Sequence, residues 1–157
     1  MNWIVYLAGE IHSDWRLALR DAAAKEGLSI ELAGPVTDHA ASDDAGAAIL
    51  GEEPNPFWHD RKGAGLNAIR TRVMIQSADL VVVRFGEKYR QWNAAFDAGL
   101  AAALNKPLIV MHPPELQHAL KEIDAAACAV AESVDQVVDV LRYVTRDEPW
   151  QRGKPTP

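Results

Sequence analysis

The chain has 157 residues, of which 48% are apolar, and a formal net charge of -6 at pH 7. This length favours one domain with a well-buried core, and the acidic balance argues against binding of duplex nucleic acid, which requires clustered Lys and Arg. The single cysteine excludes an intrachain disulfide. Because no apolar run approaches the ~18 residues of a membrane span and the N-terminus has no leader-like pattern, we expect a cytoplasmic protein that contacts no membrane.

Strand and helix patterns alternate along the chain. Apolar runs predict five strands, at residues 3–7, 28–32, 80–84, 108–111 and 128–131. Stripes of apolar residues predict helices at about 14–26, 65–77, 92–105, 115–123 and 134–144. We take Ser13 as the cap of the first helix and Cys128 as part of a buried strand. This order predicts a single doubly wound α/β domain over residues 1–146, flavodoxin-like or Rossmann-like, with about five mostly parallel strands flanked by helices, followed by a tail at 147–157.

The segment from residue 33 to residue 62 interrupts this alternation. It is rich in Asp, Gly and Pro and has few periodic apolar residues, and loops of this length are mostly functional lids or disordered. Phe57 and Trp58 favour a lid that covers a bound ligand, although they would also suit a subunit interface. The His and Asp residues of the segment match no metal-ligand spacing, and the chain has no dinucleotide or phosphate-loop fingerprint, so we expect neither a metal nor a cofactor.

In an open α/β sheet, ligands bind outside the carboxyl ends of the strands. The helix after the middle strand places one acid, Asp97, among Ala, Leu and Phe residues. A carboxylate partly desolvated by such neighbours has the basicity that a nucleophile or a general acid or base uses. The alternative is a carboxylate that is stabilised by the helix N-terminus. Asn93 shares the face of Asp97 at i, i+4 spacing and follows Trp92, so both could contact the same ligand, although Asn93 could equally cap the helix.

Six more candidates lie in or after the first strand: Tyr6, Gly9, Glu10, His12, Trp15 and Arg16. The tyrosine could hydrogen-bond a carboxylate, the glycine could let a ligand approach the backbone, and the glutamate or histidine could carry protons. The tryptophan and arginine could stack on a planar base or contact a phosphate. The alternatives are a core tyrosine, a surface histidine and a packed core tryptophan.

Three blocks of the chain carry a family resemblance: Tyr6-Leu7-Ala8-Gly9, the run from Ser77 to Val83, and Phe96 to Ala101 followed by Asn105-Lys106-Pro107. Together they resemble the nucleoside 2-deoxyribosyltransferase superfamily. The segment from Trp92 to Gly99 and the opening from Glu10 to Arg16 are most similar to its YtoQ family, and this narrower similarity covers nearly the whole chain.

The resemblance implies roles for two residues. Asp97 matches the family's glutamate nucleophile, which attacks the anomeric carbon while the base leaves, and Tyr6 matches the tyrosine that orients it. Three positions depart from the family. The side chain of Asp97 is one methylene shorter than the family's glutamate. Gln91 stands where the family has an Asp that holds the sugar 5'-hydroxyl. Thr71 or Arg72 stands where the family has the acid that protonates the leaving base.

We therefore predict an enzyme of the N-glycosidic bond, either a 2-deoxyribosyltransferase-like transferase or an N-glycosidase, acting on a small-molecule nucleoside or nucleotide. The resemblance also implies a homodimer or a higher homo-oligomer. One alternative is a non-catalytic nucleotide-binding or sensing module in which Asp97 recognises ribose hydroxyls. Another is an interaction protein whose aromatic segment packs on a neighbouring subunit.

Overall fold

Five parallel strands form one sheet in the order β2-β1-β3-β4-β5, which is a flavodoxin-like strand order. The computed structural model describes residues 2–88 and 91–146. The strands are β1 (Trp3–Gly9), β2 (Ile30–Ala33), β3 (Leu80–Arg84), β4 (Leu108–Met111) and β5 (Ala129–Ala131). The predicted α/β class and the parallel sheet are confirmed. The tail predicted at 147–157 lies outside the described residues.

Six α-helices are described: α1 (Trp15–Lys25), α2 (His39–Leu50), α3 (Pro56–Ser77), α4 (Trp92–Ala103), α5 (Gln117–Ala126) and α6 (Val134–Thr145). Alternate strand residues point to opposite faces of the sheet. Val5 and Leu7 of β1 therefore join the core under α1 and α6, whereas Tyr6 and Ala8 join the core under α3, α4 and α5. Within the described ranges, no helix is long and apolar enough to span a membrane.

The prediction of a long loop from residue 33 to residue 62 is wrong. The whole of α2 lies in this segment, and α3 begins at Pro56 rather than near residue 65. The Asp38 side chain caps α2 by accepting a hydrogen bond from the Ala41 N–H at 3.0 Å. The two helices cross where Gly46 meets the backbone of Gly63 so closely that a Cβ on Gly46 would overlap it. This packing uses backbone contact, which a search for apolar periodicity does not detect.

Two smaller predictions are also wrong. Asp14, not Ser13, occupies the N-cap position of α1, and the Ser13 hydroxyl donates instead to Glu10. Cys128 is exposed and precedes β5. Phe57 and Trp58, assigned to a lid, lie exposed in the first turn of α3, with their rings in edge-to-face contact at 4.9 Å between centroids.

Candidate active site

A cleft of about 890 Å³ opens at the carboxyl edge of the sheet. It lies beside the end of β1, where the strand order reverses between β1 and β3, and such a switch point is the usual ligand site of an open α/β sheet. Residues of α4 form one wall, and residues of α2 and α3 form the other. The volume is in the range that encloses a small organic molecule.

Six of the nine predicted site residues line this cleft: Gly9, Glu10, His12, Trp92, Asn93 and Asp97. The other three, Tyr6, Trp15 and Arg16, lie behind its surface. The packing of β1 and α1 therefore separates the predicted residues that face the cleft from those that lie behind it.

Asp97 lies in the second turn of α4 and is half-buried. Burial disfavours its charged form and raises the pKa of its carboxyl group to about 6, and the positive charge of Arg16 partly opposes this shift. Near neutral pH the carboxylate is therefore ionised but close to its pKa. A group in this condition can act as a nucleophile or can exchange a proton with a ligand.

The Tyr6 side chain is fully buried. Among the described residues, its hydroxyl is the only buried side-chain polar atom without a hydrogen-bond partner. Burial raises the pKa of this phenol, Thr71 opposes the shift, and the negative charge of Asp97 adds to it. Thr71 therefore lies near the hydroxyl, although it does not meet hydrogen-bond geometry. A buried hydroxyl without a partner costs about 1–3 kcal/mol, so this hydroxyl has unused capacity to bind a group next to Asp97.

Arg16 supports the turn after β1 from behind. Its guanidinium donates to the carbonyl oxygens of Leu7 at 3.3 Å, Gly9 at 3.0 Å and Glu10 at 2.6 Å. Trp15, which is fully buried, donates its indole N–H to the same Glu10 oxygen at 2.7 Å. Burial lowers the pKa of Arg16 to about 10. The structure thus gives both side chains backbone partners, whereas the sequence suggested contacts with a base or a phosphate.

Glu10 is buried and links the ends of β1 and β3. Its carboxylate accepts hydrogen bonds from the Ser13 hydroxyl at 2.6 Å and from the His12 N–H, and lies 3.7 Å from the Arg84 guanidinium. Burial alone would raise the pKa of Glu10, but these hydrogen bonds and the Arg84 charge outweigh it and lower the pKa. The geometry therefore favours a bridging carboxylate over the proton carrier suggested by the sequence.

Gln91 closes the loop that leads from β3 to α4. Its side-chain oxygen accepts from the Gly86 N–H at 2.9 Å, and its amide nitrogen donates to the carbonyl oxygens of Gly86 and Lys88 at 3.2 and 2.7 Å. Both ends of the amide therefore hold the loop. The described part of the chain contains no group of three His, Cys, Asp or Glu residues able to hold a metal ion.

Sequence reasoning missed Arg70. Together with Asn67 and Thr71 it lines the α3 wall of the cleft, at i, i+3 and i+4 spacing along one helix face. Arg70 is the only Arg or Lys among the described lining residues. The spacing was visible in the sequence, but the sequence does not show which face of α3 points to the cleft. Arg72, the other α3 residue that the resemblance indicates, does not line it.

The family model for "Nucleoside 2-deoxyribosyltransferase YtoQ" matches residues 6–145. The protein described as uncharacterized protein YtoQ of Bacillus subtilis (strain 168) is 43% identical over 148 residues, which cover 94% of this chain and 100% of that protein.

Solved structures with the same fold share little sequence with this chain. A 2-deoxyribosyltransferase from Bacillus psychrosaccharolyticus is 17% identical with a TM-score of 0.52, covering 86% of this chain and 90% of the other. A conserved protein from Enterococcus faecalis V583 is 15% identical with a TM-score of 0.61, covering 92% and 99%. The CMP N-glycosidase BcmB from Clostridium botulinum is 13% identical with a TM-score of 0.51, covering 90% and 98%.

Proposed function

Because the chain belongs to the nucleoside 2-deoxyribosyltransferase YtoQ family, we propose that it breaks the N-glycosidic bond of a nucleoside or nucleotide bound in the cleft beside β1. One observation carries this proposal. The carboxylate of Asp97, with a pKa of about 6, faces the cleft and lies within electrostatic range of the unpartnered Tyr6 hydroxyl.

In the proposed reaction, a carboxylate oxygen of Asp97 attacks the anomeric carbon of the sugar. The bond from that carbon to the base nitrogen breaks, and its electron pair leaves with the base. The sugar is then held as an ester on Asp97 until water or a second base displaces it, which gives hydrolysis or transfer, respectively. Partial burial makes the carboxylate more basic than an exposed one and leaves it ionised above about pH 6.

Tyr6 is proposed to position this carboxylate. Its buried hydroxyl donates no hydrogen bond to any described group, so it can donate to Asp97 or to the ring oxygen of a bound sugar. Since the phenol is held in the core of the sheet, its position does not depend on a mobile loop. A carboxylate that is already oriented loses less conformational entropy on reaching the transition state, which lowers the barrier.

The exposed side chains at the start of α4 are proposed to hold the ligand. Asn93 lies one helical turn before Asp97 on the lining of the cleft, where its amide can bind sugar hydroxyls. Trp92 also lines the cleft and offers its indole to stack on a base. His12, in the loop after β1, also lines the cleft.

We also propose a homodimer or higher homo-oligomer. Apolar side chains on adjoining helices are largely exposed: Ile69, Val73, Trp92 and Phe96. Exposed apolar surface of this kind commonly marks an interface. Light scattering of the purified chain would test this, and a monomer at every concentration would contradict it. The cytoplasmic location remains a prediction.

The proposed activity is tested by incubating the wild type and Asp97→Asn with a panel of nucleosides, deoxynucleosides and their 5'-monophosphates, and detecting the free base by mass spectrometry. Release by the wild type and not by Asp97→Asn supports the proposal. Asp21→Asn is a matched control, because Asp21 is exposed on α1 and lies outside the cleft. Equal release by wild type and Asp97→Asn would assign the activity to another group or to a contaminant.

A non-catalytic nucleotide-binding module is the second candidate. Two observations favour it: Asp97 is one methylene shorter than the glutamate implied by the resemblance, and the Gln91 amide is fully engaged by its own loop. The same panel separates the two functions. A module would show thermal shifts with one of the nucleosides or nucleotides, and no base would be released from it.

A further inference from the structure

Arg70 faces the cleft without an ionic partner among the described residues. No carboxylate of residues 2–88 or 91–146 forms a salt bridge or a hydrogen bond with its guanidinium, although Arg70 lies on the cleft lining. Burial raises the pKa of the Tyr6 phenol, and the positive charge of Arg70 partly opposes this rise, so the guanidinium lies within electrostatic range of the proposed reacting centre. An arginine whose guanidinium is not engaged by a carboxylate can donate the N–H groups of that planar guanidinium to a ligand.

The wall that carries Arg70 has no carboxylic acid near the reacting centre. Asp60 also lines the cleft, but it precedes Arg70 by ten residues of α3, which is about 15 Å along the helix axis. Asp43 lies where α2 crosses α3 at Gly63, about two helical turns from Arg70. Thr71 offers only a neutral hydroxyl. The α3 wall next to Tyr6 therefore supplies a fixed positive charge where a leaving base would otherwise require an acid.

From this geometry we infer that Arg70 contacts the leaving base, donating hydrogen bonds to a carbonyl oxygen on it and stabilising the negative charge that develops as the glycosidic bond breaks. The inference rests on the proposed function. It makes Arg70 a catalytic residue, and it restricts the favoured substrates to bases that carry a carbonyl oxygen in conjugation with the glycosidic nitrogen.

The step balances without a protein acid. The Asp97 oxygen forms a bond to the anomeric carbon, and the bond from that carbon to the base nitrogen breaks. The electron pair of the broken bond passes to the base nitrogen and is shared with the carbonyl oxygen, which accepts the N–H groups of Arg70. The base is released and takes its proton from water, to which this part of α3 is exposed. Because a guanidinium keeps its charge across the working range, no second ionisation limits the rate above neutral pH.

The same contact predicts base selectivity. Uracil, cytosine, hypoxanthine and guanine carry a carbonyl oxygen that can accept one or two N–H hydrogen bonds from a guanidinium. Adenine offers only ring nitrogens as acceptors and an amino group that would meet the donors of Arg70. We therefore expect inosine to be cleaved in preference to adenosine, from which it differs mainly at this position.

The test compares a substrate whose leaving group requires stabilisation of its negative charge with one whose leaving group does not. Inosine and uridine are the first kind, and p-nitrophenyl β-D-ribofuranoside and its 2-deoxy analogue are the second, because p-nitrophenolate is already a stable anion near neutral pH. Removing one preorganised donor from a developing anion commonly lowers the rate about 100-fold. We expect Arg70→Gln to lose about 100-fold in kcat/KM on the nucleosides and no more than about 3-fold on the p-nitrophenyl sugars. Arg61→Gln is the matched control, since Arg61 is exposed on the same helix and lies outside the cleft lining.

A binding measurement runs beside the kinetics. Calorimetric titration with free hypoxanthine should show about 10-fold weaker binding to Arg70→Gln than to the wild type, as expected for one lost hydrogen bond to a charged group, and titration with adenine should show no such change. An equal loss on nucleosides and p-nitrophenyl sugars would overturn the inference, and so would unchanged hypoxanthine binding. If the wild type cleaves neither kind of substrate but hypoxanthine binding still depends on Arg70, the proposed function fails while the contact between Arg70 and the base stands.

Discussion

Gly9 is in direct contact with the backbone of Arg84 where β1 and β3 leave the sheet. Gly9 has a φ of +97°, and a Cβ on it would overlap the Arg84 carbonyl and lie 2.8 Å from the Arg84 nitrogen. The next residue, Glu10, donates its N–H to the same carbonyl at 3.0 Å. At Gly9, which lines the cleft, the backbone of β1 is therefore drawn close to the neighbouring strand by a residue without a side chain.

Gly9→Ala should lower the free energy of unfolding by about 2–4 kcal/mol, because the methyl group meets the rigid backbone of Arg84 and the left-handed φ is strained for alanine. Gly27→Ala is the control. Gly27 also has a positive φ of +63°, but a Cβ there would meet no atom within 4 Å, so only the strain of about 1 kcal/mol applies. Urea unfolding of both variants measures the difference, and equal losses would contradict the close approach at Gly9.

Asp97→Asn should stabilise the protein above about pH 6. The pKa of Asp97 rises from 3.8 to about 6 on folding because the carboxylate is desolvated, so the folded state holds its proton more tightly than the unfolded state does. The stability of the wild type therefore falls as the pH rises from about 4 to about 6. Asparagine carries no charge, and after solvent screening is allowed for, the variant should gain about 1–2 kcal/mol over the wild type at pH 7.

Urea unfolding at a series of pH values from about 3 to 8 measures this gain. The two proteins should have similar dependence on pH below about pH 4 and should diverge only through the window named above. A difference that stays constant across the whole series would show that burial does not penalise the Asp97 charge.

Arg16→Met should have two separable effects. Three backbone carbonyls each lose the hydrogen bond from Arg16, although the Glu10 oxygen keeps the one from the Trp15 indole. This loss should lower the free energy of unfolding by about 2–4 kcal/mol. The Arg16 cation also lowers the pKa of Asp97, so its removal should raise that pKa. In the proposed reaction, base release needs ionised Asp97, so on acidification it should begin to fall at a higher pH in Arg16→Met than in the wild type.

The pH profile of kcat/KM for Arg16→Met checks the second effect, and urea unfolding checks the first. Arg20→Met is the control, because Arg20 lies on the same helix but is exposed and pairs only with Asp21 among the described residues. A loss of stability with an unmoved acid limb would leave Arg16 a structural residue and no more.

Gly46→Ala should separate α2 from α3, since the added methyl group would overlap the backbone at Gly63. We expect a loss of about 2–3 kcal/mol and faster hydrogen exchange in α2. Gly65→Ala on α3 is the control. Its Cβ would meet only the end of the Arg61 side chain, at 3.5 Å, and alanine raises helix propensity, so stability should hold or rise by up to about 1 kcal/mol. Equal behaviour of the two variants would argue against a crossing that depends on Gly46.

The strands could be predicted because a parallel strand covered on both faces is apolar at every position, as Leu80 to Val83 show. α2 could not be predicted in this way. It consists largely of Ala, Asp and Ser, and it is held by a capping aspartate and by contact between two glycines. Neither feature produces an apolar stripe, so the sequence pattern of this segment favours a loop.

The candidate site also contains residues whose position could be predicted from the sequence and residues whose position could not. The position of Asp97 follows from the rule that ligands bind at the carboxyl ends of parallel strands. Residue type alone did not distinguish Arg16, which donates to its own backbone, from Arg70, which faces the cleft without an ionic partner in the described part of the chain. That distinction depends on which face of each helix is turned inward, and this is set by packing against neighbours distant in sequence.

The two halves of α3 have different attachments. Met74 and Ile75, near its carboxyl end, join the core of the sheet, whereas the half that begins at Pro56 packs on α2. A helix fixed at one end behaves as a lever, and a tilt of about 5° at Ile75 would move the Pro56 end by about 2.5 Å. Such a tilt would change the distance between the cleft walls at the outer end and would hardly move the surroundings of Tyr6 and Asp97. Substitutions along α2 thus offer this fold a route to ligands of new size that leaves Tyr6 and Asp97, the groups of the proposed reaction, in place.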